Sequence, residues 1–213
     1  MIPKADIVFV FFVIAVSCQS LAFLTYLAQI IARKSSANVV AFALGTCISS
    51  INYFSFAGIS ANWMATIVPK ISIFGCLSVT ILGIIISSIE KKWTMPTRRQ
   101  YAVLAIALGL LVLFAFVAPK YVNLFCQAGS TFAFWPVIVG VKKDPKLEYW
   151  PAWAIWCCGF ASMIALIIVS GDSLWRLMFP CLFLLFDSSI VYFTTKRRLI
   201  ETLRKNLVTS RAE

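Results

Sequence analysis

Histidine is absent from these 213 residues, and acid is scarce, with eight Asp and Glu against nineteen Lys and Arg. Without histidine, the usual general base and the usual nitrogen ligand for zinc are both missing. The seven cysteines, Cys18, Cys47, Cys76, Cys126, Cys157, Cys158 and Cys181, include no Cys-x-x-Cys pair. Neither a dithiol redox site nor a metal site is therefore expected. All seven fall in apolar stretches, where a thiol packs as a small hydrophobe. Charged residues make up only 13% of the chain and hydrophobic ones 61%, whereas soluble domains average about 25% charged. Such a chain lacks the polar surface that a soluble globule needs.

What is present is apolar sequence in membrane-sized pieces. A helical span needs about 20 apolar residues, and seven such runs can be read: Ile7–Ile31, Asn38–Gly58, Ile71–Ile89, Tyr101–Ala118, Tyr121–Val141, Tyr149–Ser170 and Leu177–Thr195. The segment Ile59–Lys70 reads as either loop or helix extension. Connections are otherwise short, so no separate soluble domain is expected. Ala15-Val16-Ser17-Cys18 has the look of a lipoprotein cleavage site, but apolar character runs on to Ile31, too far for a signal peptide's core.

Charge orients the chain. With the N-terminus outside, the inner segments hold Arg33 and Lys34; Lys91, Lys92, Arg98 and Arg99; Lys142, Lys143 and Lys146; and Lys196, Arg197, Arg198, Arg204, Lys205 and Arg211. Only Lys4, Lys70, Lys120 and Arg176 remain for the outer ones. This is the positive-inside pattern, and adding or deleting one span would scramble it. The net charge of +11 thus anchors topology and meets anionic lipid headgroups rather than nucleic acid. The expected location is the cell membrane, multi-pass, which in a prokaryote is the inner membrane. Nothing in the sequence sets an oligomeric state.

A faint internal repeat organises the spans. Cys18-Gln19 in the first run recurs as Cys126-Gln127 in the fifth, and Lys34 recurs as Lys142 at the same displacement of 108. Four crossings separate the two runs, so they point the same way. The expected fold is an all-α membrane protein of seven helices in a 3+1+3 plan. Residues 1–90 form the first triple-helix repeat, 91–120 a lipid-facing linker span, 121–195 the second, parallel repeat, and 196–213 a basic cytoplasmic tail. Parallel-repeat transporters hold their solute near mid-membrane, between the repeats.

Polar residues inside the runs mark that interior, because lipid cannot hydrogen-bond them. Gln19 and Tyr26 share one helical face, as do Gly45, Ser49 and Asn52. The fifth span brings Gln127 and Ser130, the seventh Asp187 and Ser188. Asp187 is the one formal charge inside the runs. A buried acid there costs about 2.5–3.5 kcal/mol on insertion scales, so it is expected to face a polar cavity. Trp150, Trp63, Trp93 and Trp175 read as interfacial belt. Trp153, Trp156 and Trp135 read as flat faces on which a ring stacks. Pro136, Pro151 and Pro180 are candidate hinges.

Several of these features resemble the SWEET and PQ-loop superfamily. Where its proline-glutamine pair closes the first helix of each repeat, this chain has Ala28-Gln29 and Pro136-Val137, with Lys34-Ser35 following the first. The chain is more similar still to the bacterial nicotinamide-riboside transporter family, whose second repeat has a basic loop and then a Trp-x-x-Trp pair. Lys142-Lys143 and Trp150-Pro151-Ala152-Trp153 match that pattern here. The family's asparagine one turn beyond the pair falls at Cys157, and its first-repeat tryptophan near Val40. The resemblance implies facilitated diffusion of a small ring-bearing metabolite that a cytoplasmic kinase then traps.

The reading that follows is a transporter for a small polar, ring-bearing metabolite such as a vitamin, nucleoside or sugar. Gln19, Asn52, Gln127, Trp153, Trp156 and Asp187 would form its binding site, with no cofactor, metal or catalytic residue. The alternatives are a seven-helix receptor or sorting protein that binds without flux, and a proton-coupled carrier using Asp187. The absence of a second buried carboxylate favours uniport over the latter. Retinal attachment needs a lysine in the last span, which has none, and enzymatic acid–base or metal work needs paired groups.

Overall fold

Helix is the only regular structure among the described residues. The computed structural model describes residues 3–59, 63–90 and 119–209, with Arg98, Tyr101, Ala102, Ala105, Ile106 and Gly109 between them. The side chains of 119–128, 201–209 and a few others lie outside that description. Long apolar runs become helix because a backbone that bonds within its own segment needs no water. The elements are α1 (Lys4–Ile31), α2 (Val39–Ile59), α3 (Met64–Ile89), α4 (Pro119–Lys143), α5 (Trp150–Ser170), a 3-10 turn (Leu174–Leu177) and α6 (Met178–Thr209).

Among the described residues, four helical segments are long and apolar enough to cross a membrane, Lys4–Ile31, Thr66–Ile89, Trp150–Ser170 and Leu174–Arg197, with a shorter apolar helix at Val39–Phe54. Hydroxyls inside them are satisfied locally. Thr46 donates to the Phe42 carbonyl at 3.0 Å, Ser72 to Val68 at 3.0 Å, Thr80 to Cys76 at 2.8 Å and Thr194 to Ile190 at 2.8 Å. Such back-bonding removes the need for a partner on another helix.

Of the segment left open between loop and helix extension, Met64–Lys70 is helix extension. One boundary differs from expectation: α6 continues past Thr195 to Thr209, so most of the basic tail is helical. Most of the span Tyr101–Ala118 lies outside the described residues. The five of its positions that are described, Tyr101, Ala102, Ala105, Ile106 and Gly109, are helical and exposed.

The packing order is a closed ring. α1 packs on α3 and α5, α3 on α2, α2 on α4, α4 on α6, and α6 on α5. Around the ring the order is α1–α3–α2–α4–α6–α5. In each triplet the third helix lies between the first two. The triplets meet along two seams, α1 with α5 and α2 with α4, each pairing a first helix with the other triplet's second. The first three helices and the last three thus pack in the same internal order.

Contacts also sort the helix ends. Arg33, after α1, bonds Glu90, after α3, at 3.0 Å. The Ser36 amide donates to the Leu147 carbonyl at 2.7 Å, Lys34 lies 5.6 Å from the Tyr149 ring, and Arg197 reaches Asp144 at 3.7 Å. The segments read from charge as inner thus share one end of the bundle. Arg176, read as an outer basic residue, is not on the surface: it is 1% exposed and pairs with Asp172.

Close approach of α1 and α3 depends on a missing side chain. A Cβ on Gly75 would sit 2.3 Å from the Phe23 ring, so the helices meet at van der Waals distance only with glycine there. Gly75→Ala is expected to lower the melting temperature of the detergent-solubilised protein, at an overpacking cost of about 1–3 kcal/mol. Gly140→Ala, whose Cβ would meet only Leu147 at 3.6 Å, should leave the melting temperature unchanged or raise it.

Candidate functional site

The inner faces of the ring enclose a small cavity to which all six helices contribute. Gln19 and Phe23 come from α1, Ser49 from α2, Cys76 from α3, Phe134 from α4, Trp153 and Trp156 from α5, and Asp187 from α6. The space open to the centres of water molecules is about 40 Å³, room for on the order of three waters. Its walls are mostly aromatic. Trp153 and Trp156 stand 5.0 Å apart edge to face, Phe23 lies 4.9 Å from Trp156, and Phe134 lies 5.1 Å from Phe183. Such pairs add about 0.5–1.5 kcal/mol each beyond burial, so the walls are stiff.

Two polar side chains project into this aromatic chamber with polar atoms unmet. Gln19 is fully buried, and neither its amide nitrogen nor its amide oxygen has a hydrogen-bond partner among the described residues. Asp187 is 2% exposed and its Oδ2 is likewise unpartnered. Each buried polar atom left unmet costs about 1–3 kcal/mol, and these two side chains face the same space. Gly159 makes the room: a Cβ there would lie 3.2 Å from the Gln19 amide nitrogen. Asp187 does not face outward.

The other sequence candidates divide. Trp153 (1% exposed) and Trp156 (5%) line the cavity. Asn52 is buried on α2 but outside the cavity's lining. Ser130 is buried, whereas the Gln127 side chain lies outside the described residues. Trp135 is a correction: it is 59% exposed on the outside of α4 and offers the cavity nothing. Ser188 also faces outward, beside the Cys157 thiol at 3.5 Å. Among the proposed hinges, Pro136 interrupts α4, but Pro151 and Pro180 occupy the first turns of α5 and α6. There the missing N–H breaks no helical bond, so neither kinks its helix. Pro69 inside α3 does occupy a bonding position.

Glu148 is a buried carboxyl, next to the cavity wall, that the sequence alone does not single out. It lies between α4 and α5, in the loop that bears Lys146, yet it is only 3% exposed. The Tyr26 hydroxyl donates to its Oε1 at 2.8 Å and the Trp153 indole to its Oε2 at 3.2 Å. Burial pushes this carboxyl up from 4.5 to about 8, with the Tyr26 and Trp153 hydrogen bonds pulling the other way. Ser35 donates to Gln29 Oε1 at 3.2 Å and accepts the Tyr149 amide at 3.0 Å. The sharp turn after α1 delivers Ser35, with Arg33 at φ 57° in the left-handed region usually left to glycine. A second buried carboxylate therefore exists, and the argument for uniport from its absence falls. The Trp153 indole connects this cluster directly to the cavity wall. No protein-family model, curated protein or solved structure matches this chain, so what the site does is argued from its own geometry.

Proposed function

We propose that the chain is a multi-pass membrane transporter of seven spans, two parallel triplets and a linker, moving a small polar, ring-bearing metabolite through the central cavity. The observation that carries this reading is the unmet Gln19 amide and Asp187 Oδ2 inside an aromatic chamber. A solute with hydrogen-bonding groups on a flat ring satisfies both features, stacking on Trp153 and Trp156 while bonding Gln19 and Asp187. Nucleosides, ring-bearing vitamins and sugars are the solute classes concerned, and the resemblance to SWEET-like and nicotinamide-riboside carriers agrees with them. The two inter-triplet seams supply a rocking geometry, and the chemistry is binding and release without a catalytic step. A receptor on the same frame would bind without flux.

Three expectations follow from the transport reading. In a thermal-shift screen of purified protein against nucleosides, B vitamins and monosaccharides, one class raises the melting temperature, and that compound equilibrates across liposomes containing the protein. Binding without flux would make the protein a receptor, and no shift with any class would remove the site. For the responding compound, Asp187→Asn and Gln19→Ala should each cut uptake by about 10–100-fold, the weight of a hydrogen bond to a charged or buried group, with the melting temperature held. Unimpaired flux in both would show that the solute goes elsewhere. Finally, a reporter fused after Glu213 should be active only as a cytoplasmic fusion, and one fused before Met1 only as an external one. Both ends on one side would break the seven-span plan.

A further inference from the structure

The Glu148 cluster sits where the two triplets meet, and it closes one end of the α1–α5 seam. The α1–α2 loop and the α4–α5 loop are joined there through the Ser36 amide to Leu147 carbonyl bond, at 2.7 Å, and the Tyr149 amide to Ser35 Oγ bond, at 3.0 Å. Between them Glu148 takes the Tyr26 hydroxyl from α1 and the Trp153 indole from its own triplet. One carboxyl therefore spans the seam, and its second partner is a wall of the cavity. Parting the loops would return it to water.

We propose that Glu148 is a proton-binding latch, which joins the two triplets when protonated and lets their loops part when it gives up the proton to water. As a gate for solute the latch rests on the transport reading; as a proton-sensitive closure it stands without it.

The chemistry is balanced by one proton. In the joined state the neutral carboxyl still accepts from Tyr26 and Trp153 and has a hydroxyl to donate to the cluster. In the parted state it loses that proton and is solvated as carboxylate. Among the described residues, no cation lies against it that would keep it charged while buried. Tyr26 is the titratable group facing it from α1, and α2 and α5 carry no charged residue. Lys34 lies over the Tyr149 ring. Arg33 is engaged by Glu90 after α3, and Asp144 by Arg197 of α6. Lys142 and Lys143 of α4, and Lys146, are exposed.

The sign follows from linkage. The joined carboxyl titrates near 8 and the freed one near its ordinary 4.5, so protons favour the joined state. That advantage is complete below 4.5 and is lost as pH rises through 8.

Amide hydrogen exchange of the full-length protein in nanodiscs tests this without any solute. After correction for intrinsic exchange, protection of the Ser36 and Tyr149 amides should fall at least about tenfold between pH 5 and 9. Glu148→Gln, a neutral side chain of the same shape, should keep both amides protected across that range. Glu148→Ala should leave both exposed at every pH, and if that variant fails to fold, Glu148→Gln alone decides. A wild-type profile flat with pH, or the same step in Glu148→Gln, would overturn the latch. A step in the wild type with no flux of any solute would sink the transport reading and leave the latch standing; flux with no step would do the reverse.

Discussion

A polar group at membrane depth has no water to turn to, and that constraint sorts the residues of this chain more completely than any single contact. Most hydroxyls meet it within their own helix, as Thr46, Ser72 and Thr194 do by bonding carbonyls one turn back. Tyr26 and Trp153 meet it by sharing Glu148. Gln19 and Asp187 are left with atoms unmet, and they share one cavity. Gln29 Nε2, on the same helix as Gln19 but outside that cavity, is unmet too, so what sets Gln19 and Asp187 apart is the space they share.

The two triplets resemble one another in order but not in bulk, and the cavity arises from the mismatch. At the displacement of 108, Gly45 corresponds to Trp153, Gly75 to Phe183 and Val79 to Asp187. The first triplet supplies small residues where the second supplies aromatics and the acid. Trp153 and Phe183 therefore line the cavity from one side, while Gly45 lines it from the other and Phe23 fills the space over Gly75.

This asymmetry also decides what could be read before the structure was known. Apolar run length locates α1, α2, α5 and most of α6, because lipid-sized helices leave a continuous signal in composition. Gln19 and Asp187 are legible for the same reason, as polar interruptions in such runs. Trp135 misleads because depth along a helix is visible in sequence while the face is not, and Trp135 takes the outer side of α4. Glu148 is invisible for the opposite reason. It follows Lys142, Lys143, Asp144 and Lys146 and reads as one more loop charge. Its burial depends on Ser35 and Tyr26, more than 110 positions away. Only the strained turn at Arg33 brings that segment across.

The two seams between triplets are chemically unequal, which bears on how the bundle could open. The cavity, at about 40 Å³, is too small for a ring, so a ring-sized solute would need the triplets to move apart along a seam. The α2–α4 seam carries an aromatic contact between Phe42 and Phe134 at 6.5 Å. Sliding aromatic faces changes such contact by degrees, because dispersion is non-directional. The α1–α5 seam ends in directional hydrogen bonds to a buried carboxyl, which are either made or broken. A bundle that rocks about the first seam and latches at the second has two discrete states rather than a continuum. In such a bundle the proton on Glu148, not water alone, would set the balance between them.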